Sequence, residues 1–378
     1  MEEIKDLTLR PTYAKIDLKK LKNNFLKLKS KAKKSIVMPI LKANAYGHGM
    51  IEIAGFLEKE GAKIFGVAFL EEGIILRKKG IKSDILVLGG ISGYQIELFI
   101  LYDLIITASS IEKLKLIDNT ALKLGKKARV HLKIDTGMER IGVHYYNSKK
   151  FFETALSLKN IRIEGVYSHF ANSDAPNLFE TYRQFDRFTD AVSYFEKRDY
   201  YLLRHIANSG ALIRFEESHL DMVRTGIALY GYMPDSELDN SLNLSPVLSL
   251  YSKVVYFKVV QKGAAVSYGS TWKADEMIRA VTIPIGYGDG YPRALSNKGE
   301  VLIRGKRHPV IGRICMDQII VSLGKDGEAY NQDEVVIIGQ SGNEIITADD
   351  IAKKAQTISY EILTMINNRV PRIYINDR

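Results

Sequence analysis

Up to about residue 231 the apolar residues follow two alternating rhythms, and beyond it only one of them persists. Short apolar runs occupy Ile36–Leu41, Ile64–Phe69, Asp84–Leu88, Leu104–Ala108, Arg129–Ile134, Ile163–His169, Tyr201–Ala207 and Met222–Tyr230. Near-continuous runs of this length are the mark of strands buried on both faces. The intervening segments show helical spacing: in Ser110–Gly125, Ile111, Leu114, Ile117, Ala121 and Leu124 recur every three or four residues before a closing glycine. Lysines from Lys19 to Lys34 interleave with Leu21, Phe25, Leu28 and Ala32 behind Asp17, which predicts an amphipathic helix with an aspartate cap. Strand and helix alternating eight times predict an α/β fold, a (β/α)8 TIM-like barrel whose active site lies at the C-terminal ends of its strands.

Beyond Gly231, Pro234-Asp235-Ser236 and the polar stretch to Ser245 read as a linker. Strand-like segments follow at Val247–Val260, Ile278–Ile285, Glu300–Ile303, Gln318–Leu323, Val335–Ile338 and Val370–Ile375, with one helix from about Ala348 to Ile366 capped by Thr347. The expected organisation is a barrel domain over residues 1–240 and a mainly β domain over 241–378.

Composition narrows the class. The chain has 378 residues, 46% hydrophobic and 26% charged, enough for two globular cores and unlike a disordered or fibrous protein. The net charge of +10 invites a nucleic-acid reading. Much of the lysine, however, lies on the solvent face of the Lys19–Lys34 helix, so no nucleic-acid partner is expected. The single cysteine, Cys315, excludes an intramolecular disulfide and fits a reducing compartment. The start Met-Glu-Glu-Ile-Lys-Asp has no apolar core of a signal segment, and no apolar run reaches the roughly 20 residues of a membrane span. The expectation is a soluble cytoplasmic protein without a membrane partner.

The candidate chemistry begins at Lys42, where the run Ile36–Leu41 ends in one amine followed by a polar turn. A partly desolvated lysine at a strand end can lose its proton and attack a carbonyl. In a barrel, Lys42 would meet the end of strand five in Lys133-Ile-Asp-Thr-Gly-Met-Glu-Arg140, His169 after strand six, His205 to Ser209 after strand seven, and Arg224 to Ile227 after strand eight. Ser209-Gly210 and Gly226-Ile227 stand where barrels often bind phosphate, with small residues exposing backbone N–H groups. His48, His131, His144, His219 and His308 show no metal-like clustering and receive no role, and no metal is expected.

Nine motifs resemble those of the alanine racemases, in that family's order: Lys42-Ala-Asn-Ala-Tyr-Gly-His-Gly49, Lys133-x-Asp-Thr-Gly-Met-x-Arg140, Ser168-His-Phe170, His205-x-x-Asn-Ser209, Val223-Arg-x-Gly-Ile227, Val266-Ser-Tyr-Gly269, Pro284-Ile-Gly-Tyr287, Gly312-Arg-Ile-Cys-Met-Asp317 and Arg369-Val-Pro-Arg372. The resemblance implies a homodimer that interconverts L- and D-alanine with pyridoxal 5′-phosphate, for bacterial cell-wall synthesis. It implies that Lys42 holds the cofactor in a Schiff base and serves as one base, with Tyr268 reaching in from the partner subunit as the other. Tyr46, Tyr360, Asn208, Ser209, Gly226 and Ile227 would bind the cofactor with His169 and Arg224. Arg140 would clamp the substrate carboxylate, and Met316 and Asp317 would line the substrate side from the partner. Behind these would stand Lys133, a candidate for carbamylation, His205 as an orienter of Arg224, and Tyr287 at the entrance. An arginine against the pyridine nitrogen stays charged and cannot accept the ring's proton, which weakens the electron sink and disfavours side reactions such as transamination. Glu139 adds a negative charge beside Arg140 at a position that varies in that family.

Three other readings stay open at this level: a racemase of broader range taking serine or a basic amino acid, a decarboxylase of related architecture, and a non-catalytic pyridoxal phosphate carrier. Arg224 argues against the second, since such decarboxylases place an acid there. Residues 245–378 with Tyr268 argue against the third.

Overall fold

The computed structural model describes residues 10–235, 238 and 240–376. The acidic start Met1–Asp6 and Ser236 of the expected linker lie outside the described residues. The chain divides into two compact units: a barrel unit, Leu21–Ala45 with Met50–Ser245, and a β unit formed by the described part of Met1–Lys20, Tyr46–Gly49 and Pro246–Arg378.

In the barrel unit, parallel strands run at Ile36–Pro39, Ile64–Val67, Asp84–Val87, Ile105–Ala108, Ala128–Asp135, Ile161–Tyr167, Leu203–His205 and Met222–Thr225. The second to seventh pair in sequence order, and the eighth pairs in parallel with the first. A parallel bridge from Ile40 to Gly66 joins the first strand to the second. Asp221 N–H donates to Arg204 O at 3.2 Å and Arg224 N–H to Ala207 O at 3.0 Å, joining the seventh to the eighth. The eight strands thus close on themselves, as their apolar spacing predicts. Gly66 permits the first closure, since a Cβ there would lie 2.5 Å from Ile40 Cδ1. Ser110 caps the helix Ile111–Lys123 by accepting from Lys113 N–H at 3.1 Å, and Asp17 accepts from Lys20 N–H at 2.9 Å at the head of Leu18–Ala32. The eighth strand stops short of the sequence expectation. After Thr225 the chain turns through a 3-10 segment, Ile227–Tyr230, which anchors by donating the Tyr230 hydroxyl to Ile40 O at 2.8 Å.

The β unit holds a seven-stranded and a three-stranded sheet. Tyr13–Asp17 lies inside the larger sheet, antiparallel to Leu248–Lys253 and parallel to Arg372–Ile375. The N-terminal strand therefore groups with the β unit, which a single cut at residue 240 does not capture. The expected strand Val247–Val260 is two strands, Leu248–Lys253 and Tyr256–Val260, because the chain leaves one sheet for the other at Val254-Val255. The expected helix Ala348–Ile366 is likewise two, Ala348–Ala355 and Ser359–Met365, parted where Gln356 takes a left-handed conformation. Among the described residues no helix is long and apolar enough to cross a membrane.

Candidate active site

Immediately after the first barrel strand the backbone makes an uncommon turn. Ala43, Asn44, Ala45 and Tyr46 all have φ between 53° and 55°, and the left-handed region costs L-residues roughly 1–2 kcal/mol each. Within the barrel unit three polar contacts offset that strain. Glu72 Oε1 accepts Ala43 N–H at 2.8 Å, Asn44 Oδ1 accepts Met50 N–H at 2.8 Å, and Ala45 N–H donates to Leu41 O at 2.7 Å. Glu72 Oε2 also accepts Ala68 N–H at 2.7 Å, so one carboxylate ties two strand-end loops together. Lys42 stands at the head of this turn. It is solvent-accessible, yet crowding by protein lowers its pKa below the ordinary lysine range, with Arg140 adding to the shift and Glu72 opposing it.

Arg224, on the eighth strand, is buried. Its Nη1 donates to His205 Nδ1 at 2.9 Å, and its Nη2 donates to Ser168 O and Ile206 O at 2.8 Å and to His169 Nδ1 at 3.1 Å. Every acceptor is neutral. Desolvation, with the Arg140 charge, lowers its pKa to about 10 while Tyr167 opposes. Desolvation and the Arg224 charge also hold His169 and His205 well below the ordinary imidazole range. Lys133 is buried 4.9 Å from the Tyr167 ring centroid, donates to Ile134 O at 3.1 Å, and is held well below the lysine range by desolvation.

Arg140 owes its place to Asp135. Oδ1 accepts the N–H groups of Gly137, Met138 and Glu139 at 2.8, 3.0 and 3.2 Å, and Oδ2 accepts Arg140 N–H at 3.1 Å. Glu139 pairs with His144 Nε2 at 2.9 Å. After the seventh strand, Asn208 accepts Ala211 N–H at 3.1 Å, and Ser209 Oγ accepts Gly226 N–H at 3.0 Å beside Ile227.

In the β unit, Tyr46 and Tyr360 lie 6.0 Å apart between ring centroids. Tyr268 is 70% exposed. It follows Ser267, whose φ is 64° and whose hydroxyl donates to Arg313 O at 2.6 Å. Tyr287 and Gly288 donate their N–H groups to Cys315 O and Met316 O at 3.1 and 2.8 Å, and Arg369 holds Asp317 at 2.5 Å. The β unit thus gathers Tyr268, Tyr287, Met316 and Asp317 on linked loops and also holds Tyr46 and Tyr360, and the barrel unit gathers the remaining expected residues at its strand ends.

Glu72, Asp135 and His131 play parts here that the sequence reading did not assign. His131, given no role there, is an internal partner of His205, with 2.9 Å between His131 Nδ1 and His205 Nε2. The available signal was its spacing: in a strand, His131 and Lys133 share one face. Among the described residues no cluster of three or more His, Cys, Asp or Glu is arranged to hold a metal.

A closed barrel with a lysine of lowered pKa at its first strand end and a buried arginine that has no acidic partner among the described residues, joined in one chain to a mainly β unit, defines an enzyme of the lysine-bearing barrel-plus-β class. Two family descriptions match, "Alanine racemase, N-terminal domain" over residues 16–234 and "Alanine racemase, C-terminal domain" over 247–374. The chain is 43% identical over 369 residues to an alanine racemase of Halothermothrix orenii, covering 97% of each. It is equally identical to one of Carboxydothermus hydrogenoformans, covering 97% of this chain and all of that one. The alanine racemase structure of D-cycloserine-producing Streptomyces lavendulae has a TM-score of 0.94 at 37% identity, over 98% of this chain and 99% of that one. The chain belongs to the alanine racemase family of isomerases.

Proposed function

We propose that this protein interconverts L- and D-alanine with pyridoxal 5′-phosphate held on Lys42, as a cytoplasmic homodimer that supplies D-alanine for cell-wall synthesis. The observation that carries the reading is Arg224. Its Nε has no protein acceptor among the described residues, and its other N–H groups meet only neutral atoms. That donor fits a pyridine nitrogen, from which an arginine cannot take a proton. The Ser209 hydroxyl, which accepts from Gly226, likewise keeps a hydrogen for an anion such as a phosphate oxygen. Tyr46 and Tyr360, with Asn208, Gly226, Ile227 and His169, complete the proposed cofactor contacts.

When bound, the cofactor supplies the electron sink that makes an amino acid's α-proton removable. The chain's residues manage that proton. Lys42 Nζ, its pKa lowered, takes or returns it on one face of the α-carbon, and Tyr268 Oη of the partner subunit does so on the other. Arg140 holds the substrate carboxylate through its planar fork, and Met316 and Asp317 border the substrate. Tyr287 guards the entrance. Lys133, whose pKa burial lowers, would take up carbon dioxide with loss of a proton and become an anion that steadies Arg140. His205 orients Arg224.

Two measurements test the reading. The purified protein should convert L-alanine to D-alanine on chiral analysis, and borohydride reduction in the presence of pyridoxal phosphate should label Lys42 on peptide mapping. Label on another lysine, or no D-alanine, refutes it.

A further inference from the structure

We infer that His131 is a positioning residue for Arg224, acting through His205 by dictating which ring nitrogen of His205 carries its proton. The argument is one of donors and acceptors. A guanidinium only donates, so the 2.9 Å contact from Arg224 Nη1 requires a bare Nδ1 on His205. A neutral His205 must then carry its proton on Nε2, which lies 2.9 Å from His131 Nδ1. His131 Nδ1 is therefore the acceptor, and its own proton sits on Nε2. That atom is buried and has no hydrogen-bond partner among the described residues.

A buried N–H left without an acceptor is costly. The fold nevertheless shapes itself to keep it. Gly165 lies against the His131 ring, and a Cβ there would fall 2.7 Å from Nδ1 and Cε1. His205 is clamped from the other side by Tyr167, stacked at 4.7 Å and 5°, whose hydroxyl is 2.7 Å from Thr107. His205 can neither swing away nor switch tautomer without placing an N–H against the Arg224 N–H. The three residues form one directional chain of hydrogen bonds, donated from the guanidinium through His205 to His131 in the barrel interior. It leaves Arg224 charged, aimed and paired only with neutral atoms.

The inference rests on the proposed function only for what Arg224 contacts; the chain of hydrogen bonds does not depend on it. The test uses full-length protein with ¹⁵N-labelled histidine, assigned by single replacements, with and without pyridoxal phosphate. In the parent, His205 should show a protonated Nε2 and a bare Nδ1. His131→Asn keeps an acceptor near the Nδ1 position and should preserve that tautomer and the cofactor dissociation constant. His131→Leu removes the acceptor and should disturb the tautomer and weaken cofactor binding by about 5- to 30-fold, the equivalent of about 1–2 kcal/mol. A parent His205 protonated on Nδ1 overturns the inference even if His131→Leu does not fold. So does a His131→Leu protein with unchanged tautomer and affinity, or a His131→Asn protein that behaves as badly as His131→Leu. If the parent binds no pyridoxal phosphate, the proposed function fails, while the tautomer in the ligand-free protein still decides the role of His131.

Discussion

Replacing Asp135 with asparagine separates a structural contact from a functional one within a single side chain. Asn is nearly isosteric, so its Oδ1 can still accept from Gly137, Met138 and Glu139, but its amide nitrogen would face Arg140 N–H where Oδ2 now accepts at 3.1 Å. A donor facing a donor at a partly buried site costs roughly 1–3 kcal/mol, and the solvent access of this loop argues for the lower half of that range. If the displacement falls on Arg140 and Arg140 clamps the substrate carboxylate, KM for alanine should rise about 5- to 30-fold, at 1.4 kcal/mol per decade. The turnover number should change far less. Steady-state racemisation measured from both enantiomers, alongside urea unfolding, gives the two readouts. The pH dependence supplies a check on sign. Backbone N–H groups and Lys133 lower the Asp135 pKa against the opposing effect of burial. Its stabilising contribution is therefore complete above the unfolded aspartate value near 3.9 and is lost as pH falls through the lower folded value. Asp135→Asn should lack that acid-side loss. An unchanged KM with reduced stability would make Asp135 a loop staple and nothing more. A fall in turnover at constant KM would remove Arg140 from carboxylate binding.

Three further outcomes are expected. In deuterated water, Tyr268→Phe should exchange the α-proton of D-alanine with retention faster than that of L-alanine, since the family resemblance assigns Tyr268 to L-alanine; equal exchange from both enantiomers would withdraw Tyr268 as a base. Mixing inactive Lys42→Ala with inactive Tyr268→Phe should restore part of the activity, because one hybrid site has both residues intact, and proven subunit exchange without recovery would count against shared sites. Gly165→Ala should lower stability by about 1–3 kcal/mol through the clash with the His131 ring, whereas a neutral result would mean that the ring has room to move.

The barrel was legible because strands buried on both faces leave unbroken apolar runs, so all eight registered in order. What lay outside the sequence's reach was pairing over distance. Tyr13–Asp17 looks like the lead-in to a helix, and its partners lie hundreds of residues away. Val247–Val260 is uniformly strand-like although its halves serve different sheets. Motif resemblance brought Lys42, Arg140 and Arg224 into view because each carries chemistry on its own. His131 and Glu72 were missed because their parts depend on atoms supplied by other strands: Nε2 of His205 for one, the N–H of Ala43 for the other. Asp135 was visible inside a motif, but nothing in the local spacing says that four amides converge on it.

The placement of Tyr13–Asp17 also dictates an order of events during synthesis. This strand is made long before its partners, since its antiparallel neighbour begins at Leu248 and its parallel neighbour at Arg372. At roughly 5–20 residues per second, the first wait lasts about 10–50 s and the second longer. Throughout that interval the strand presents open hydrogen-bonding edges, which invite pairing with other chains. Each barrel strand has at least one neighbour made within some tens of residues, and only the first strand waits for its second partner, Met222–Thr225. The nascent enzyme thus has a barrel able to form early and a β edge that stays open until residues 372–375 emerge, and it is at this edge that a holding chaperone would be of most use.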